Sequence, residues 1–263
     1  MPRTSPEKWA PEGLQQVAQE VGAIINLDHD LPLLERAGIR QEDILPLVRQ
    51  GWLEKLDRRG LYRIREIPRA VSVDALAAVG ALLEGKPHYV SWWAALSHHD
   101  LTEQVPVTVR VAVQSQHRHG AVAGARLIFV RVSPKKFFGY RTIRVPGGTV
   151  GMALPEKAII DSLDHPDYAG GFGEVAKAIG QVSVPTANLV AIANRYGVRS
   201  VAGRLGWLIE SLRHEDASEL LRMVNRGAPY LLNPSGPTAG EIDRRWNLVV
   251  NTSAEALTAW RHS

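Results

Sequence analysis

The residues best suited to chemistry are two histidine pairs and a group of acids on one predicted helix. His98 and His99 are adjacent, so on a helix they point about 100° apart and do not face one metal ion together. His117 and His119 alternate within QHRHG and can chelate from a strand or loop, but no acid lies nearby to complete a zinc site. We therefore expect no metal site, and no cofactor.

The acids Glu156, Asp161 and Asp164 lie in the segment PEKAIIDSLD, which its leading proline and apolar spacing predict to be a helix. A nuclease can hold magnesium with acids, but the usual site places them on adjoining strands, and the strands predicted here carry none. Glu156, directly after Pro155, is better explained as a charge that complements the positive end of the helix dipole. No phosphate-binding GxxxxGK(S/T) motif occurs. We expect no enzymatic activity and assign no catalytic residue.

Basic side chains are unevenly distributed along the 263 residues, whose net charge is +4. No acid occurs between Glu103 and Glu156, and the rest of the chain sums to −4 because this block alone carries eight cations: Arg110, Arg118, Arg126, Arg131, Lys135, Lys136, Arg141 and Arg144. Two interpretations stay open. The cations balance acidic helices nearby, or they form a surface for phosphates.

Three helices are predicted in the first fifty residues. The first follows Pro11, the second begins at Asp28 or Asp30 as N-cap and ends at Gly38, and the third begins near Gln41. A start of the third helix near Gln41 places Pro46 close to its first turn, where a proline is tolerated.

A short basic hairpin is predicted directly behind the third helix. Alternating runs at 52–56 and 61–65 flank the turn Asp57–Gly60, which predicts a winged helix-turn-helix over residues 1–68. A basic hairpin tip can reach a phosphate or a minor groove while the third helix lies in the major groove. Glu42 and Asp43, near the head of that helix, work against phosphate attraction.

The remaining residues, 69–263, are predicted to form a larger domain with a basic strand region at 104–155. Helices are expected after Ser72 or Asp74, after Ser91 and from Pro155, and strands at 107–113, 126–132 and 137–145, with the arginines at alternate positions on one exposed face. Further helices are predicted near 172–180, 186–196, 198–213 and 216–225, and further strands at 230–232 and 246–250. Clustered strands with separate helices favour an α+β fold.

The composition points to a cytoplasmic protein. Hydrophobic residues make up 45% of the chain, no window approaches the roughly 18 apolar residues of a membrane span, and cysteine is absent. The N-terminal sequence lacks the apolar core of a signal peptide. We expect no membrane partner.

Several stretches together resemble a known family. YVSWWAALSHHDLTEQVP, KKFFGY, VGMALPEKAIIDSLDHP with GGFGEV, RLGWLIESL and NPSGPTAGEIDRRWNLVVN, in this order, resemble the AbiEi antitoxins of type IV toxin–antitoxin systems over essentially the whole chain. The resemblance implies a transcriptional autorepressor that binds inverted repeats in double-stranded DNA upstream of its operon. It also implies a larger C-terminal domain that counteracts a nucleotidyltransferase-like toxin without a stable complex.

DNA is therefore the predicted partner, and both parts of the chain are expected to contact it, because residues 1–70 hold eleven basic and eleven acidic residues and sum to zero. The predicted DNA-binding residues are Arg40, Gln41, Arg49, Lys55, Arg58, Arg59, Arg110, Arg118, Arg126, Arg131, Lys135, Lys136 and Arg141. Two alternatives stay open: a nuclease or nucleotide-modifying enzyme targeted by a winged helix, and a protein-interaction module with a basic docking face.

Overall fold

The computed structural model describes residues 11–56, 59–65, 75–122, 125–224 and 227–262. The fold is mixed α and β, as the sequence predicts. In these ranges the α-helices are α1 Glu12–Val21, α2 Leu27–Arg36, α3 Ile44–Arg49, α4 Ala75–Leu82, α5 Trp92–His98, α6 Pro155–Asp164, α7 Phe172–Gln181, α8 Thr186–Tyr196, α9 Arg199–Leu208 and α10 Ala254–Thr258. The strands are β1 Ile24–Asn26, β2 Leu53–Lys55, β3 Leu61–Ile64, β4 His88–Ser91, β5 Thr108–Val113, β6 Gly120–Val122, β7 Ala125–Arg131, β8 Tyr140–Val145, β9 Gly148–Ala153, β10 Tyr230–Leu231, β11 Glu241–Asp243 and β12 Leu248–Val250.

The strands form three sheets. Two are three-stranded, in the orders β1-β3-β2 and β10-β12-β11, and one is six-stranded, in the order β6-β7-β5-β4-β9-β8. In the first sheet both neighbours run antiparallel to β3, with Ile25 and Lys55 each opposite Tyr62. In the six-stranded sheet β4 is parallel to β9, and β6 is antiparallel to β7.

The predicted N-terminal helices are present, but the start of α2 differs from the prediction. Its N-cap is Asn26, whose side chain accepts a hydrogen bond from the Asp28 backbone N–H at 3.1 Å. Asp28 and Asp30 lie inside the helix, so the predicted caps are wrong. Asp30 reaches back instead, and its carboxylate accepts from the Asn26 N–H at 2.6 Å, which satisfies a second donor at the start of the helix.

An apolar core joins the three N-terminal helices to their sheet. The buried members come from every one of these elements: Leu14, Val17, Ile25, Leu33, Leu34, Ile39, Ile44, Leu47, Leu53, Tyr62 and Ile64. Burying a side chain of this size contributes about 1.5–3 kcal/mol. The core therefore fixes which faces of α3 and of the hairpin remain exposed.

Most of the elements predicted after the hairpin are present, with differences in helix type and with further elements that were not predicted. The predicted helix 198–213 is α9 followed by one π-helical turn, Ile209–Arg213, and the predicted helix 216–225 is a 3-10 helix, Ser218–Met223. Strands β4, β6, β9 and β11 and helix α10 were not predicted. The proposed caps Ser72 and Asp74 lie outside the described residues.

The chain divides into two compact units. The first consists of Met1–His88, His117–Ile128 and Thr142–Gly151, and the second of Tyr89–Gln116, Phe129–Arg141 and Met152–Ser263. The first unit thus extends past the boundary predicted near residue 68 and includes two segments of the acid-free block. Within it, the Ala23 N–H donates to the Gly147 carbonyl at 3.1 Å, and the Asn26 side chain donates to the Ala81 carbonyl at 3.0 Å.

Among the described residues, no helix has both the length and the apolar character needed to cross a membrane.

Candidate nucleic-acid interface

The third helix presents a polar and partly apolar face to solvent. A 3-10 turn, Gln41–Asp43, leads into α3, and Pro46 is the third residue of the helix, which is where a proline is tolerated. Ile44 and Leu47 are buried, so Gln41, Leu45, Pro46 and Arg49 remain exposed. The exposed side chains Leu45, Pro46 and Arg49 therefore form the outer side of α3, and the exposed Gln41 lies in the turn that leads into it.

The hairpin carries cations, but two of them are neutralised. Glu54 lies directly opposite Arg63 on the neighbouring strand and forms an ion pair with it, and Arg65 donates to the same carboxylate at 3.2 Å. Partial burial pushes the pKa of Glu54 up, but the hydrogen bonds and charges of the two arginines outweigh it and lower the pKa overall. Arg63 and Arg65 therefore contribute less to the field of the hairpin than a count of charges implies.

Among the described residues, three of the N-terminal cations predicted to bind DNA are exposed and have no carboxylate partner. Within the described ranges no carboxylate pairs with Arg49, Lys55 or Arg59. Arg40, in contrast, forms an exposed ion pair with Glu42 at 3.5 Å, which contributes at most about 1 kcal/mol and opens readily. Arg58, predicted at the hairpin tip, lies outside the described residues.

The acid-free block does not form one basic sheet face, so that prediction is wrong. Successive residues of a strand point to opposite faces. Arg126 and Arg131 are five positions apart on β7, and Arg141 and Arg144 are three apart on β8, so each pair is divided between two faces. Two side chains of one strand lie on the same face only when an even number of positions separates them.

Two of the predicted DNA-binding residues are held by the protein itself. Arg110 is half-buried, donates to the Tyr168 carbonyl at 3.2 Å and places its guanidinium carbon 4.7 Å from the centre of the Tyr168 ring. Lys136 pairs with Asp164 at 2.5 Å and lies 4.7 Å from the centre of the Tyr196 ring. Both side chains therefore make contacts within the second unit. Their assignment to the DNA surface is corrected accordingly.

The remaining predicted cations are exposed and belong to different units. Arg118 and Arg126 lie in the first unit, whereas Arg131, Lys135 and Arg141 lie in the second. The acid-free block, which is one basic region along the sequence, therefore contributes cations to both compact units.

A buried polar cluster in the second unit was not predicted from the sequence. Lys157 and Asp161 of α6 form an ion pair one helical turn apart, with their side chains 0% and 1% exposed. Asp161 also accepts from the Ser91 hydroxyl at 2.7 Å, and its backbone carbonyl accepts from the Trp92 indole at 3.0 Å. Ser91 occupies the predicted N-cap of α5, but its side chain caps nothing there because it donates to Asp161.

Aromatic rings enclose this cluster. Lys157 donates to the Tyr89 hydroxyl at 2.9 Å, and its ammonium lies 5.4 Å from the centre of the Phe138 ring and 5.1 Å from that of Tyr196. A Cβ at Gly139 would lie 3.1 Å from the Lys157 side chain, so the FFGY segment packs directly on the lysine stem. Burial lowers the pKa of Lys157, and burial together with the charge of Asp161 raises the pKa of Tyr89.

The cluster is enclosed, so it has the geometry of a structural network. Asp161, the residue on which the enzymatic alternative depended, has both carboxylate oxygens occupied by Lys157 and Ser91. The 4-residue spacing of Lys157 and Asp161 in PEKAIIDSLD was the one signal of the ion pair in the sequence. Periodicity alone did not show that both charges face inward.

The histidines take separate positions. His99 donates from Nε2 to the Ala153 carbonyl at 2.7 Å, and burial lowers its pKa. The His98 and His99 ring centres are 5.0 Å apart. In the part of the chain that the structure describes, no group of three or more potential ligands among His, Asp and Glu is placed to hold a metal ion.

Comparison with known proteins shows a similarity of fold. No family model and no curated protein matches this chain. Among solved structures it resembles the RV2827C protein from Mycobacterium tuberculosis, with a TM-score of 0.64 and 14% sequence identity over 98% of this chain and 97% of that chain. The chain therefore shares the fold of this mycobacterial protein over nearly its full length.

Proposed function

We propose that this protein binds double-stranded DNA through its first unit and acts as an autorepressor and antitoxin of the AbiEi kind. The observation that carries the proposal is the order α1-β1-α2-α3-β2-β3 with the sheet order β1-β3-β2, which we interpret as a winged helix. In this interpretation α3 is the recognition helix and the β2–β3 hairpin is the wing.

The charges of the exposed side chains support the proposal. Arg49 on α3, Lys55 on β2 and Arg59 beside the wing tip are exposed and have no carboxylate partner within the described ranges. Cations of this kind bind phosphates and release condensed counterions, which is the main source of affinity for duplex DNA. The exposed cations Arg131, Lys135 and Arg141 of the second unit are proposed as additional phosphate contacts.

The antitoxin role rests on the resemblance of the sequence motifs to the AbiEi family. In this proposal the second unit counteracts a nucleotidyltransferase-like toxin without forming a stable complex with it. The protein acts in the cytoplasm and carries out no catalysis.

Selection from a random-sequence duplex library tests the DNA-binding proposal. The full chain, incubated with the library and excess non-specific competitor, is expected to enrich duplexes that contain inverted repeats. Enrichment of no sequence, with a single protein co-purifying in stoichiometric amount, would support the protein-interaction alternative instead. Magnesium-dependent cleavage of the library that is lost in Asp161→Ala, in a variant shown to be folded, would support the enzymatic alternative.

A neighbouring gene tests the antitoxin role. If the operon encodes a nucleotidyltransferase-like protein that arrests growth, co-expression of this chain is expected to restore growth while the two proteins elute separately in gel filtration. Continued growth arrest at equal expression would contradict the role.

A further inference from the structure

The exposed face of α3 contains an apolar side chain that the fold does not use. Leu45 is 63% exposed, and it is the one large hydrophobic side chain with high exposure among the described residues of the first unit. Its neighbours Ile44 and Leu47 are 3% and 9% exposed and fill the core. Leu45 therefore takes no part in packing α3 against the core.

Polar and cationic side chains border Leu45 on the same face. Arg49 follows Leu45 by four positions, which is one turn of α3, and Gln41 lies in the 3-10 turn that leads into the helix. Pro46 is also exposed and extends the apolar patch by one residue. The 3-10 turn and α3 thus carry, in chain order, a polar amide, a small apolar patch and a cation.

We propose that Leu45 contacts the C5-methyl group of a thymine in the major groove and thereby sets sequence specificity. This inference rests on the proposed DNA-binding function. The major groove is where base pairs are distinguished, and the thymine methyl is the one apolar group that a base exposes there. Gln41 and Arg49, on either side, offer the amide and guanidinium groups that pair with adenine and guanine edges or with phosphates.

Size and charge favour DNA over a second copy of this chain as the occupant. Stable protein interfaces bury about 800 Å² on each partner, far more than the surface of Leu45 and Pro46. The exposed cation Arg49 also lies on this face, which matches the phosphates that line a groove and repels the Arg49 of an identical face.

Replacement of thymine by deoxyuridine tests the inference, because deoxyuridine lacks only the methyl group. The probe is the consensus duplex selected by the wild-type chain, with each thymine replaced in turn and the Kd measured by fluorescence anisotropy. At one thymine in each half-site the wild-type chain is expected to lose roughly fourfold in affinity, the value of one buried methyl group. Leu45→Ala is expected to bind the two duplexes equally, and Leu45→Met to keep the preference.

Two controls separate the possible failures. Val107→Ala removes an apolar side chain that is 77% exposed in the second unit, and it is expected to leave the preference for thymine intact. Specific binding that is equally sensitive to deoxyuridine in wild type and Leu45→Ala, or sensitive at no position, would overturn the inference and leave the DNA-binding function standing. Absence of any selected duplex overturns both. A change from dimer to monomer on Leu45→Ala without a change in base preference would assign Leu45 to self-association.

Discussion

At the residue scale, the second unit depends on an ion pair with almost no contact with water. Lys157 and Asp161 are 0% and 1% exposed, and Ser91 and Tyr89 complete their hydrogen bonds. Removing the two ions from water costs several kcal/mol each. The attraction between the two charges and their hydrogen bonds offset that cost. Loss of one partner leaves the other as an uncompensated buried charge.

Asp161→Asn is therefore expected to destabilise the protein by about 3–5 kcal/mol, because the Lys157 ammonium loses its counter-charge. The free energy of unfolding, measured in urea, checks this value. Glu219→Gln is the matched control: it breaks an exposed pair with Arg222 and is expected to cost less than about 1 kcal/mol. Equal effects of the two substitutions would contradict the structural role of the buried pair.

The pH dependence of stability tests Tyr196. Burial, followed by the charges of Asp161 and Asp164, raises the pKa of this tyrosine, whose hydroxyl donates to Asp164 at 2.9 Å. Above about pH 10 the unfolded chain loses this proton and the folded chain keeps it, so the unfolded state binds fewer protons and stability falls as pH rises. Tyr196→Phe is expected to make the decline between pH 10 and 11 shallower by up to about 1.4 kcal/mol per pH unit. An unchanged slope would show that Tyr196 ionises in the folded protein.

At the element scale, periodicity predicted most of the helices and the hairpin, and the failures near the N-terminus have local causes. Strand β1 was missed because its three residues, Ile24–Asn26, directly follow a helix and continue its apolar character. The Asn26 cap was missed because two aspartates nearby are equally good caps by residue type. The pairing of Glu54 with Arg63 and Arg65 depends on strand register, which sequence composition does not contain.

The pairing of Glu54 with the two arginines can be tested in the β2–β3 hairpin. Glu54→Gln removes one negative charge and releases Arg63 and Arg65, so DNA binding is expected to become tighter by several-fold at low salt. Anisotropy titrations at 50 mM and 200 mM salt check this, with a larger gain at the lower salt. Glu35→Gln, an exposed acid on α2, is the control for the change in net charge alone. Equal gains from both variants would show that the release of the arginines has no part in binding.

The packing of α4 gives a second prediction at this scale. A Cβ at Gly80 would lie 1.7 Å from the Thr149 carbonyl oxygen, so the helix and β9 can approach this closely only with glycine. Gly80→Ala is expected to destabilise the first unit by about 1–3 kcal/mol, although alanine is the better helix former. Gly173→Ala, in α7 with open space around it, is expected to be neutral or stabilising. Thermal unfolding of the two variants checks the contrast.

At the scale of the whole molecule, three of the motifs that resemble the AbiEi family meet in space. Tyr89 and Ser91 come from YVSWW, Gly139 from FFGY, and Lys157 and Asp161 from PEKAIIDSLD, and all five belong to one buried network. Gaps of tens of residues separate these motifs, so periodicity, which is a local signal, gave no sign of the contact. These three motifs therefore contribute to packing in the second unit, whereas the DNA contacts proposed for the first unit lie on residues outside them.

The distribution of charge was also predicted only in part from the sequence. The acid-free block was identified correctly from the sequence, but its arrangement on one face was not, since Arg126 and Arg131 have odd spacing along β7. Its cations also belong to both units. The exposed cations Arg49, Lys55 and Arg59 of the first unit are consequently the main proposed DNA contacts.

The salt dependence of DNA binding tests the central claim most directly. Plotting log K against log salt concentration for the selected duplex is expected to give a slope that is less steep by roughly 0.9 for each phosphate contact removed. The variant Arg49→Ala/Lys55→Ala/Arg59→Ala is therefore expected to bind weakly with a slope flattened by about 2–3, whereas Arg199→Ala/Arg244→Ala, which removes exposed cations of the second unit, keeps the wild-type slope. A folded triple variant with wild-type affinity and slope would contradict the assignment of DNA binding to the N-terminal helices and wing.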